Sequence, residues 1–247
     1  MDGHVTPAVV SEIQDGVAML WLARPERGNA MSAEMVGAIE ASLDDAIGAG
    51  ARMIVLRAQG RNFCTGLDLA DLGTITDGEL ALRIIRIELL LQRIHGLPVT
   101  TMAVASGRVF GAGADLFAAC DLRVALPGTS FAFPGPAFGL VLGTGRLAGL
   151  VGDAAARRLL LAGAAVEAER AQALGLVTDI IEAAAVDGAV TAARAAAKRL
   201  DAATVAALHG RTRRVDDDAD LAALARSVAR PGLVARVAAY RAAMQRK

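Results

Sequence analysis

Apolar residues recur along this chain at two periods, and the alternation between them outlines a fold. Residues 5–22 read as two short strands broken at Asp15-Gly16, a hairpin signal. Short apolar runs at 53–56, 99–105 and 177–181 read as further, buried strands. Met35, Ile39, Leu43 and Ile47 share one face of a helix predicted to start after Ser32, its N-cap, and to reach about Gly48. A strongly apolar helix is predicted over 77–95, ended by Gly96-Leu97-Pro98. Helices are also expected at 112–120, 153–161 and 167–174, with a strand at 121–125 and a loop containing one short helical piece at 133–145. From residue 183 the pattern is helical, with a charged interruption at 211–218. Strand–helix alternation followed by helices predicts an α/β core over 1–182 and a helical region over 183–247.

Composition narrows the partners. The 247 residues are 54% hydrophobic, yet no uninterrupted apolar run approaches the roughly 18 residues of a membrane span. The opening Met1-Asp2-Gly3-His4 lacks the basic-then-apolar order of a secretory signal, so a cytoplasmic location and no membrane partner are expected. A net charge of +0 gives no electrostatic reason to expect nucleic acid. Two cysteines and three histidines without ligand spacing predict a reduced compartment and no metal.

Chemistry concentrates in two glycine-bearing turns, Phe63-Cys64-Thr65-Gly66-Leu67-Asp68 and Gly111-Ala112-Gly113-Ala114-Asp115. Each follows a strand-like run. Small residues there let backbone N–H groups approach a ligand, and two converging N–H groups stabilise an anion. Asp115 adds a carboxyl to the second turn, where a helix dipole also explains an acid.

These segments do not stand alone. Arg24-Pro25 with Asn29-Ala30-Met31, the first turn, Ser106 through Leu116 with Cys120-Asp121, and Ala171 through Gly175-Leu176-Val177 occur in one order. In that order and spacing they resemble the crotonase, or enoyl-CoA hydratase/isomerase, superfamily. The resemblance implies a crotonase-like ββα spiral core with a C-terminal helical trimerisation region, assembled as a homotrimer or hexamer. It also implies an enzyme, a lyase or isomerase, acting on acyl-CoA thioesters, with coenzyme A arriving as part of the substrate rather than as a resident cofactor. Carried over residue by residue, the N–H groups of Leu67 and Ala112 form an oxyanion hole. Glu26, Arg27, Gly28, Thr65, Gly66, Leu67 and Gly111 hold the coenzyme A portion, and Asp115 is the single acid/base.

The departures from the family pattern are specific. Gly135 stands where hydratases hold a second glutamate, and Gly143 where dienoyl-CoA isomerases hold an aspartate. Hydration needs one group to activate water and another to deliver a proton to carbon. A non-catalytic acyl-CoA carrier that lost its second acid is therefore the alternative. Asp71 is a candidate replacement acid, Asp68 an N-cap, and Asp121 and His95 structural residues. Ile84, Ile85, Ile87, Leu89, Leu90 and Leu91 offer a roof for an acyl pocket.

Overall fold

The computed structural model describes residues 7–212 and 215–246; expectations resting on residues 1–6, on 213–214 and on Lys247 lie outside them. Between β1 (Val9–Gln14) and β2 (Val17–Leu22), Asp15 and Gly16 take φ values of 54° and 80°. Two consecutive positive φ angles suit a tight hairpin turn, and Gln14 duly pairs with Val17. Beyond this edge hairpin the sheet is parallel: β2, β3 (Met53–Ala58), β4 (Thr100–Ala105), β6 (Leu122–Ala125) and β9 (Asp179–Ile180) lie side by side. A smaller sheet joins β5 (Arg108–Phe110), β7 (Ser130–Ala132) and β8 (Val166–Glu167). Strands this short carry no periodicity of their own, and the sequence pattern does not disclose them.

The helices match the apolar faces. Ser32 Oγ accepts the Met35 N–H at 3.1 Å to open α1 (Ala33–Gly48), which buries Met35, Ile39 and Leu43. Thr76 and Glu79 form a reciprocal capping box at the start of α2 (Asp77–His95). All of α3 (Ala112–Ala118) is buried. The pattern predicts a loop to residue 145 and helix again only from 153. Instead α4 (Thr144–Val151) begins there, ahead of α5 (Asp153–Ala162) and α6 (Ala168–Ala173). Two interior glycines, Gly145 and Gly149, lower the helix propensity of α4 and mask it.

The helical region is folded onto the rest of the chain. After α7 (Val186–Ala197) beneath the main sheet and α8 (Ala202–Thr212), α9 (Asp217–Val228) and α10 (Leu233–Gln245) pack on α2. Leu224, Val228, Leu233 and Val237 are buried there with Leu80, Ile84 and Leu140. Among the apolar residues of this region Val205, Leu224, Val228, Leu233 and Val237 are buried within the chain, whereas Leu208 is 48% exposed. Among the described residues no helix is long and apolar enough to cross a membrane.

Candidate active site

The two glycine turns form one structure. Phe110 N–H donates to Cys64 O at 3.0 Å, and Met31 N–H donates to Gly66 O at 2.7 Å. A methyl group on Gly66 would sit 2.9 Å from Phe110 O, and one on Gly113 2.3 Å from Cys64 O. Only glycine permits that backbone approach. Asn29 explains the entry motif. Fully buried, with φ 52°, it accepts from Arg24 N–H at 2.8 Å and donates to Gln59 O and Asn62 O at 3.0 and 2.9 Å. The first turn therefore rests on a plug that satisfies three backbone groups.

Beside the joined turns lies a cavity of about 120 Å³. Thr65, Gly66, Leu67, Gly111 and Ala112 form one wall, Ile84 and Ile87 of α2 another, and Leu140, Leu142, Leu160, Val237 and Tyr240 much of the remainder. Neither the Leu67 nor the Ala112 N–H donates to any described residue. Asp115 is the single carboxyl among the lining residues. It is 4% exposed, and burial lifts its pKa well above the usual carboxylate range; Arg146 partly offsets this, while Glu88 and Asp220 add to it. The Asp115 carboxyl reaches over Gly143: a methyl there would lie 2.3 Å from Oδ1. At Gly135 a methyl would meet only Leu140, at 3.7 Å or more. The space beside Gly143 is thus filled by Asp115 itself, and that beside Gly135 is open.

Behind Asp115 lies a charged cluster that the sequence reading does not include. Glu88 of α2 and Arg146 of α4 make a doubly hydrogen-bonded ion pair, 2.9 and 2.5 Å, with both side chains 1% exposed. Gln92 ties Glu88 to Asp217 O of α9 at 2.9 Å on each side. One signal points to it: Glu88 lies four residues after Ile84, on the apolar face of its helix. A charge there requires a buried partner.

Other sequence candidates sit elsewhere. Glu26, Arg27 and Gly28 do not line the cavity, but Thr65 N–H donates to Gly28 O at 3.0 Å, tying that segment to its wall. Arg27 is half exposed and pairs with Asp68 at 3.3 Å. Asp68 caps no helix; it accepts Ala70 N–H at 2.9 Å, because the chain turns there and becomes helical only at Asp77. Asp71 is held outside the cavity by Arg83 through contacts of 3.0 and 2.6 Å, which also lower its pKa. Asp121 accepts from Thr101 N–H at 2.8 Å, a structural tie, and His95 ends α2 away from the cavity. Ile84 and Ile87 do roof the cavity, whereas Leu90 and Leu91 belong to the core and Leu89 is 45% exposed. Both cysteines are buried free thiols, and burial pushes Cys64 up to about 12 and raises Cys120 further.

Comparison with known proteins agrees with this architecture. The family model for enoyl-CoA hydratase/isomerase matches residues 12–234. A crystal structure of a "putative enoyl-CoA hydratase/isomerase" from Bordetella parapertussis superposes with a TM-score of 0.93 at 44% identity, covering 96% of this chain and 99% of that one. A "probable enoyl-CoA hydratase" of Mycobacterium tuberculosis is 34% identical over 67% of this chain and 68% of its own. An ethylmalonyl-CoA decarboxylase of Xenopus laevis is 32% identical over 70% of this chain and 59% of its own. The chain belongs to the enoyl-CoA hydratase/isomerase family, the crotonase superfamily, and has its fold.

Proposed function

We propose that this protein is an acyl-CoA enzyme that holds the thioester carbonyl between the N–H groups of Leu67 and Ala112 and uses Asp115 as its one acid/base. The observation that carries the reading is the pairing of two backbone N–H groups without protein acceptors among the described residues and one buried carboxyl around a single apolar cavity. Two such donors stabilise an enolate oxygen, each on the order of 3 kcal/mol. Burial raises the pKa of Asp115 and suits it to donate. Water adds its oxygen to Cβ of an enoyl thioester and gives its proton to solvent, the double-bond electron pair forms the enolate, Asp115 protonates Cα, and solvent restores the Asp115 proton. Efficient two-acid hydration is disfavoured because Gly135 contributes no second carboxyl. A cavity of about 120 Å³ suits a short acyl group; an engineered apolar cavity of roughly 150 Å³ takes up benzene.

A buried Asp115 with a raised pKa also suits a second reading within the same class, decarboxylation of a 2-carboxyacyl thioester. The bond from Cα to the carboxylate breaks and releases CO₂, its electron pair forms the enolate, and Asp115 protonates Cα. Solvent then restores the Asp115 proton, so the net reaction consumes one proton. The decarboxylase among the relatives gives this reading its precedent.

The test is turnover and, separately, binding with enoyl-CoA esters of graded chain length and with 2-carboxyacyl-CoA esters. Turnover is expected for short chains and falls on the order of 10²-fold or more in Asp115→Asn. Binding of every ester without turnover would replace the enzyme by a carrier. Unchanged turnover in Asp115→Asn would remove Asp115 from the mechanism.

A further inference from the structure

We propose that Glu88 and Asp220 are the positioning residues of this site: Glu88 cancels the charge of Arg146, Asp220 adds a like charge, and together they keep the proton on Asp115 and make it a donor. The inference rests on the reading of Asp115 as the site's acid and extends it to three side chains that do not line the cavity.

Asp115 lies on α3, Glu88 on α2, Arg146 on α4 and Asp220 on α9. The start of α4 meets both aspartates. A methyl on Gly143 would fall 2.3 Å from Asp115 Oδ1, and one on Gly145 would fall 2.6 Å from Asp220 Oδ2. Two glycines separated by one residue thus seat the two carboxyls on α4.

Charge balance does the rest. Arg146 is the cation of the cluster, and both its terminal nitrogens go to Glu88. Among the described residues its buried Nε has no hydrogen-bond partner, and neither has the buried Oδ2 of Asp220. Neither aspartate is bonded to the guanidinium. Three carboxyls therefore face one guanidinium whose charge Glu88 already matches. Two further negative charges there repel each other in a poorly solvated space, and one proton relieves the conflict. Asp220 is the better anion, because its Oδ1 accepts Gly145 N–H at 3.3 Å and the residue is only partly buried. Asp115, buried and with no donor to its carboxyl among the described residues, keeps the proton. Facing these groups from the remaining elements are Tyr240 of α10, which lines the same cavity, and Asp217 of α9, which adds to the negative field at Asp220.

Infrared difference spectroscopy tests this without requiring turnover. The carbonyl band of protonated Asp115 is isolated as wild type minus Asp115→Asn and followed against pH. It is expected to persist at pH 7 in the wild type. In Asp220→Asn, loss of a like charge is expected to lower its midpoint by about one pH unit, a tenfold change in acidity. In Glu88→Gln the midpoint also falls, because Arg146 is no longer neutralised. Asp220→Glu keeps the charge and is expected to keep the wild-type midpoint, which a packing role would not reproduce. A band absent at pH 7 in the wild type, or a midpoint unchanged by Asp220→Asn, overturns the proposal. If Glu88→Gln does not fold, the partly exposed Asp220 decides the matter alone. Absence of thioester turnover would count against the proposed function and leave the infrared result standing.

Discussion

Gly143 and Gly135, eight positions apart, are unequal. Gly143 has φ 61° and no room for a side chain beside Asp115, whereas Gly135 meets only Leu140 at van der Waals distance. Gly143→Ala is expected to cost about 1–3 kcal/mol from backbone strain and to depress turnover by displacing the Asp115 carboxyl. Gly135→Ala should stay within about 0.5 kcal/mol of the wild type. Urea unfolding together with an activity assay of both variants checks the contrast, and equal effects would refute it. At this scale much is legible in the sequence, because each turn is a contiguous segment, the second including Asp115, and their glycines announce close backbone approach. The role of Asp68 is not. Whether an Asx side chain caps a helix or only a turn is decided by the residues after it, and 69–76 carry no pattern that distinguishes the two.

At the scale of elements, α2 and α4 are joined by a buried ion pair across 58 residues of sequence. The apolar face of α2 is plain from its spacing. The pair is not, since the glycines of α4 give Arg146 the look of a loop residue. Removing one partner leaves the other as an unmatched charge. Arg146→Met is therefore expected to lose about 3–5 kcal/mol. The double variant Glu88→Leu/Arg146→Met should recover most of that in stability and, because the pair removed is neutral as a whole, bring the pH behaviour of Asp115 back toward that of the wild type. Chemical denaturation of the two variants measures this. A double variant as unstable as the single one would show that packing, rather than charge, holds these helices together.

For the whole molecule, the same cluster links stability to pH. Asp115 and Asp220 bind protons more tightly in the folded chain than in an unfolded one, where aspartate titrates near pH 3.9. Their contribution to stability is thus fully present below about pH 4 and declines as pH rises through the folded midpoints. Asp115→Asn removes that penalty, so it should unfold at a higher temperature than the wild type at pH 7 and match it near pH 4. Thermal scans at the two pH values check the sign; a less stable Asp115→Asn at pH 7 would contradict it. The protein would then be trading stability for a proton kept ready.

The sealed thiols have a practical corollary. With Cys64 and Cys120 buried and reluctant to ionise, the native chain presents no thiolate to a chromogenic disulfide reagent. In such a titration every rapid colour change in a thioester assay belongs to liberated coenzyme A. A slow increment of two equivalents per chain reports that the chain has opened.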